Sequence, residues 1–423
     1  MNAKTLYLLV GATAIALAAA FWITSANAPV REESAKDTFL MPGLREELNA
    51  VDAFTIKGAG GKTLLELRRS GAEWRVAQRA NYPADVGKLR EYLFKLADAK
   101  VLDAKTSNPQ RYAELGVEDP IDPQAKSLLV ALGGVHDQPN LIVGLYNGQG
   151  EGGTFVRREG EKQSVLASGN LLVEKDPATW IRHELIDIDA AKIREVRLTD
   201  LDGKVVRIHK ERASDANFML ADLPKGREPA SESIANGLGV GLSNLRADDV
   251  VSTHDVVVPD KVYKVRYVDF DGTIIDVIAW DVDGKPHVQF VASNDVQQID
   301  ADIVAAQARE KSAYGAAVAT AKLKVVESKG DDAAIAKAEA DVPKPASVLD
   351  ADKDRADRLA IANKTVESLN KKLGGWTYIV PEYVFSNFHK RIDDLLKPLE
   401  VQSAADAKGG KPTAPILPSA RQP

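Results

Sequence analysis

The sequence predicts an α+β protein: two repeated antiparallel sheet-plus-helix modules, a helical-hairpin insertion in the second, and one N-terminal transmembrane helix. Three observations carry this reading. Residues 5–24 contain no charged side chain. Two stretches, starting at Val51 and near Ile188, each spell strand, Gly-Lys turn, strand, third strand and amphipathic helix. Residues 295–373 turn Ala-, Lys- and Asp-rich and take up a helical period.

Composition bounds the rest. A chain of 423 residues, 44% hydrophobic and 27% charged, is a folded protein with room for two or three domains. The net charge of −6, with no basic stripe, gives no reason to expect nucleic acid. There is no cysteine, which excludes disulfides, thiolate metal sites, cysteine nucleophiles and a lipid-modified N-terminal cysteine.

Residues 1–28 read as the anchor. At 1.5 Å per residue, 5–24 spans about 30 Å, the depth of a bilayer's hydrocarbon core. Lys4 lies before it, Arg31, Glu32 and Glu33 after it, and Trp22 near its far end. The positive-inside rule then places the bulk of the chain in the periplasm of a bacterial envelope, single-pass from the inner membrane. Ala26-Asn27-Ala28 has the form of a signal-peptidase site, but Pro29 stands just after the cut and opposes cleavage. A linker, 29–44, follows.

The first α+β module covers 45–185. The second covers 186–294 and is completed by 374–400. Their helices align without a gap: Leu89, Leu93, Leu96 and Val101 match Leu238, Leu242, Leu245 and Val250. Period-2 alternation with short Gly and Asp-Gly turns predicts antiparallel meanders after each helix. In the insertion, 295–373, Leu359, Ala362, Val366, Leu369 and Leu373 fall at coiled-coil spacing. An earlier helix, about 296–328, carries Ile299, Ile303, Tyr314, Val318 and Val325, with a polar gap over 307–311. Pro343 and Pro345 break the chain between them, so two arms of about 40–50 Å are expected. The tail, 401–423, with Lys408-Gly409-Gly410-Lys411 and four prolines, is expected to be disordered.

Several motifs invite a chemical reading. Asp269-Phe270-Asp271-Gly272-Thr273 has the form of the haloacid-dehalogenase phosphatase signature, whose first Asp is a nucleophile and second an acid/base around Mg²⁺. The preceding strand, however, alternates polar and apolar, where that family needs a buried parallel strand. An Asp-x-Asp-Gly turn also recurs at Asp200-Asp202-Gly203 and Asp281-Asp283-Gly284, so a hairpin turn is the simpler reading. Gly58-Ala59-Gly60-Gly61-Lys62-Thr63 ends like a P-loop, but Ile56 stands where the first Gly belongs. Gly237, Gly239 and Gly241 lack the dinucleotide-binding spacing and are read as close packing. The six histidines are scattered, with no His-Glu-x-x-His pair. Trp376, Tyr378, Tyr383, Phe385 and Phe388 are either sheet core or a sugar-stacking platform.

Trp74, then Tyr82-Pro83-Ala84-Asp85, a Leu-rich helix, and Tyr112-x-x-Leu115-Gly116-Val117-x-x-Pro120 resemble the bacterial family labelled domain of unknown function 4340. Ala113-Glu114 departs from that family's turn. The resemblance implies one N-terminal anchor helix and an accessory role beside gliding-motility-type ABC transporter components, and it brings no catalytic residue. The expectation is therefore a non-enzymatic, membrane-anchored periplasmic subunit with no cofactor, no metal and no catalytic residue of its own. Its expected partners are the inner membrane and an ABC permease and ATPase. An envelope glycan- or lipid-binding module is the alternative, and a phosphatase built on Asp269 and Asp271 a remote one.

Overall fold

The computed structural model describes residues 38–150, 152–327, 329 and 331–398. The expected membrane helix and the tail from 401 lie outside these residues. Among the described residues no helix is long and apolar enough to cross a membrane. The architecture is α+β, with two large antiparallel sheets and several helices.

The first sheet is built from β1 (Ala53–Lys57), β2 (Thr63–Ser70), β3 (Glu73–Val76), β4 (Tyr82–Pro83), β5 (Val101–Ala104), β6 (Leu128–Gly133), β7 (Leu141–Asn147), β8 (Gly153–Arg158) and β9 (Ser164–Ser168). Its order is β4-β3-β2-β1-β6-β7-β8-β9-β5. A pair, β10 (Glu184–Ile186) with β14 (Leu245–Arg246), follows. The second sheet takes β11 (Ile193–Thr199), β12 (Val205–His209), β13 (Met219–Leu220), β15 (Asp249–Ser252), β16 (Tyr263–Asp269), β17 (Thr273–Val282), β18 (Lys285–Asn294) and β19 (Trp376–Ile379). Its order is β13-β12-β11-β16-β17-β18-β19-β15. Among the described residues four helices exceed two turns: α1 (Val86–Asp98), α2 (Val296–Glu327), α3 (Asp332–Ala340) and α4 (Ala351–Leu373).

Local sequence explains these elements. In β1, Phe54 and Ile56 alternate inward, as do Leu65 and Leu67 in β2. The Gly58 to Lys62 segment is the turn between them: Gly58 N–H donates to Lys62 C=O at 2.9 Å, and Gly60 and Gly61 sit at φ +68°. Asp85 caps α1, its carboxylate accepting from Lys88 N–H at 3.0 Å. Leu89, Tyr92, Leu93, Leu96 and Ala97 form the buried face of that helix. Tyr92 and Trp180 meet Phe54 with centroids 5.5 and 5.2 Å away. Each such side chain contributes about 1.5–3 kcal/mol by leaving water.

One continuous apolar core runs under both sheets, from Leu40 to Leu395. Tyr82, 1% exposed, joins the two halves: it lies edge-on to Trp376 at 5.0 Å and to Tyr378 at 5.9 Å. Beside it, Arg79 pairs with both carboxylate oxygens of Asp249 at 2.5 and 3.0 Å.

Three local expectations are corrected. The long helix expected around 231–250 is a single turn, Asn236–Gly239, set among other turns. Its apolar residues Leu238, Leu242 and Leu245 are buried as expected. The glycines explain the loss of helix: they carry a propensity cost of about 1 kcal/mol each. They are there because nothing larger fits, since a Cβ on Gly239 would lie 2.1 Å from Phe218 Cε2. The run from His389 to Leu396, whose sequence predicts a short helix, forms one 3-10 turn, Ile392–Leu395.

The third correction concerns the insertion. It is not a pair of equal arms. α2, of 32 residues, extends about 48 Å. α3 folds back against its far part, where Lys322 pairs with Glu339 at 2.7 Å. After Pro343 and Pro345, a turn at Ala346–Leu349 leads into α4, which returns to the sheet. Asn370 binds the edge of β18 both ways, accepting from Ala292 N–H at 2.8 Å and donating to Ala292 C=O at 2.9 Å. Leu369 and Leu373 pack on the sheet core, so the lower half of the expected seam is sealed on β18.

Candidate functional site

A cleft of about 650 Å³ opens where α2 and α4 diverge above the β16–β17 turn. That volume lies within the usual range of ligand and peptide sites. Its apolar lining comes from Ile299, Ile303 and Ala306 on α2, Ile361, Ala362 and Leu369 on α4, and Ile188 and Phe270 below. Lys192, Asp269, Asp271, Thr273, Asp302, Arg309, Arg358 and Thr365 bring polar groups to it.

The turn at its base is tightly specified. Asp269 Oδ1 accepts from Asp271 N–H at 2.9 Å and Thr273 N–H at 2.7 Å. Asp200 does the same for Asp202 and Lys204, both at 2.9 Å. The recurring Asp-x-Asp-Gly is thus a capped turn, with Gly272 at φ +83° and Gly203 at φ +80°. Asp269 ends an antiparallel strand between β11 and β17. Burial raises its carboxyl above the ordinary 3.8, the two amide donors oppose that, and the neighbouring Asp271 charge adds to it.

The polar gap over 307–311 has a partner. Arg358 on α4 binds both oxygens of Glu310 at 2.9 Å and reaches Asp354 at 2.9 Å. Gln307 donates to Asp354 at 2.9 Å and to Ala351 C=O at 2.8 Å, and Ser347 donates a short hydrogen bond to Glu310. Nearer the sheet, Arg355 clasps Asp300 at 2.6 and 2.7 Å. These contacts hold α4 on α2 where apolar side chains are absent. Glu310 is held below the ordinary 4.5 by the Ser347 hydroxyl first and Arg358 second. Asp354 is lowered by Gln307 first and then Arg358.

The other singled-out residues are structural. Tyr378, Phe385 and Phe388 are core and Trp376 is half-buried; Tyr383 is exposed, so the five form no common platform. His183, His287 and His389 each place Nδ1 against a backbone carbonyl, at 2.7, 2.6 and 3.0 Å. Among the described residues, no group of three His, Asp or Glu is placed to hold a metal ion. Trp74 is 9% exposed and covers α1 at Leu89 and Leu93. Gly116 at φ +66° ends the Tyr112–Leu115 turn, and Arg157 covers the Tyr112 ring at 4.6 Å while donating to Val117 C=O at 3.1 Å.

Sequence reasoning did not single out Lys192, Asp302, Arg309 or Arg358. Only Arg358 left a signal, the Asp354–Arg358 spacing of four on a helix. The junction role of Tyr82 also went unread: its hydroxyl meets Tyr378 and Arg182, and burial lifts it above the ordinary 10. Lys372, at the foot of α4, is pulled down by burial first and by the Arg182 charge second.

Residues 74–264 match the family model described as Domain of unknown function (DUF4340). The match begins at Trp74, crosses the Tyr82 junction and ends at the start of β16. Through that region, less than half of its length, the chain resembles this family. No curated protein and no solved structure matches it.

Proposed function

We propose that this protein is a non-enzymatic, membrane-anchored accessory subunit on the periplasmic face of an ABC-type transport complex. It scaffolds or gates partners rather than transforming a substrate. The observation that carries the reading is the helical insertion, which leaves large apolar side chains in solvent. Val304, Leu323, Val326 and Ile361 are all more than half exposed along α2 and α4. Exposed apolar residues along one extended helical element favour a contact surface. The uncharged segment 5–24 supports an anchor. The DUF4340 resemblance supports the transporter setting.

In the same proposal the two sheets are duplicated modules, 45–185 and 186–294 with 374–400, and 295–373 is an insertion in the second. Their matching strand order supports this. Reading β3-β2-β1-β6-β7-β8-β9-β5 against β13-β12-β11-β16-β17-β18-β19-β15 pairs these eight strands place for place and leaves only β4, at the edge of the nine-stranded sheet, without a counterpart. The insertion then replaces a hairpin turn, because β18 and β19 are hydrogen-bonded neighbours joined only through it.

A chain tagged at its C-terminus, expressed in its native host and extracted in mild detergent, tests the reading. Recovery of an ABC permease and ATPase in stoichiometric amount is the expected result. A membrane-bound protein recovered alone contradicts it.

A further inference from the structure

We infer that the cleft between α2 and α4 receives a short segment of the partner permease, one that sets apolar residues between side chains of opposite charge. The inference rests on the accessory-subunit reading and names the place where contact is made.

The charges in the cleft are the first argument. Lys192 and Arg309 line one opening with four-carbon and three-carbon stems, and neither forms an ion pair with any described residue. Asp271 is exposed at the same opening and also has no cation partner. Asp302 meets only the neutral Gln298, at 2.9 Å. Arg358 is the exception, its guanidinium already shared by Glu310 and Asp354. Elsewhere on this surface oppositely charged neighbours do pair, as Arg355 does with Asp300. Here cations and carboxylates face one space and remain apart.

Charge balance selects the occupant. A lone anion near Lys192 and Arg309 also meets the carboxylates of Asp269, Asp271 and Asp302, and a lone cation meets the reverse. Neither gains a net field. A segment bearing both signs can satisfy both sets at once. The apolar lining then takes what lies between: Ile303 faces the cleft from α2 and Ile361, 67% exposed, from α4. Ile361 also borders a second shallow depression along α4 with Lys364 and Lys372, so the apolar strip continues beyond the cleft. A peptide in an extended or helical form fits such a strip, whereas a compact solute would leave it bare.

The cleft is also rigidly framed. Gly272 lies so close to α2 that a Cβ there would stand 2.4 Å from Ile299 Cγ1. The clamp around Arg358 and the Asn370 bonds to β18 fix the other wall. A preformed site loses little ordering entropy when it binds.

The test uses the full chain in its native host. Lys192→Glu with Arg309→Glu reverses two exposed charges that hold no internal contact, so folding is retained and is checked by thermal melting. Ile361→Asp is made separately. With wild type retaining the permease, each variant is expected to lose about tenfold of it at physiological salt, the scale of a desolvated interface charge or apolar anchor. A photo-crosslinking residue at Ile361 should capture a permease peptide containing both an acidic and a basic residue. Equal recovery by wild type and both variants overturns the inference and leaves the accessory reading intact. A crosslink to a second copy of this chain, or no crosslink, overturns it as well. Wild type recovered alone overturns both.

Discussion

Gly241 sits where the Tyr267 hydroxyl leaves no space: a Cβ there would lie 2.2 Å from that oxygen. Tyr267 is itself buried and its hydroxyl has no partner among the described residues, so it cannot swing toward solvent without opening the core. Gly241→Ala should therefore cost about 1–3 kcal/mol, the usual penalty for overpacking. Gly315, inside α2, has nothing within 4 Å of its virtual Cβ. Gly315→Ala should stabilise α2 by up to about 1 kcal/mol through helix propensity alone. Denaturant melts of the two variants check the opposite signs. At this scale the sequence pointed to close packing at Gly237, Gly239 and Gly241, each of which has a side chain pressed against it, but not to the loss of helix that goes with it. The Asp-x-Asp-Gly turns were legible because their repetition at hairpin positions has a local cause, a carboxylate accepting from amides two and four residues on at Asp200 and Asp269 and three on at Asp281. Lys192 and Arg309 were not legible, because they converge only through tertiary structure.

Among the elements, the insertion is held in its middle by charged side chains. Its central contact is polar: Arg358 with Glu310 and Asp354, braced by Gln307 and Ser347. This shared network is partly exposed and screened by solvent, so it stabilises modestly. Its sign with pH is fixed. Glu310 and Asp354 both have carboxyls lowered in the folded state, so the unfolded chain binds more protons in the acid range. The stabilisation is complete above their ordinary values, 4.5 and 3.8, and is lost as pH falls below them. Hydrogen exchange over 296–327 and 351–373 should accelerate on acidification before the sheets loosen, and Arg358→Ala should abolish that pH dependence. Uniform loosening of sheets and insertion, or a variant with unchanged pH response, would count against the clamp. The sequence revealed the two long helices and the polar gap; spacing and prolines are local signals. It did not reveal that α3 folds back, since its Ala-rich surface reads the same whether it extends or returns.

In the whole molecule, the two sheets share a core and meet at Tyr82, Trp376 and Tyr378, with Arg79 and Asp249 alongside. α4 ends two glycines before the strand that carries Trp376 and Tyr378, and Tyr378 donates back to Leu373 C=O at 3.1 Å. The insertion is thus rooted in the seam between the sheets. Strand pattern, with its period-2 alternation and short turns, made most of both sheets legible. The junction was hidden, because Tyr82 looks locally like a residue that only supports the helix capped by Asp85. The role proposed for the molecule, a scaffold that docks through its insertion, meets its most direct test in one comparison. The full chain and a variant with 295–373 replaced by an Asn-Gly turn, which the pairing of β18 with β19 allows to close, are purified side by side from the native host. The account predicts that both fold and reach the membrane, and that only the full chain brings the ABC permease and ATPase with it. Equal recovery of those partners with the shortened chain, or their absence from the full chain, would contradict it.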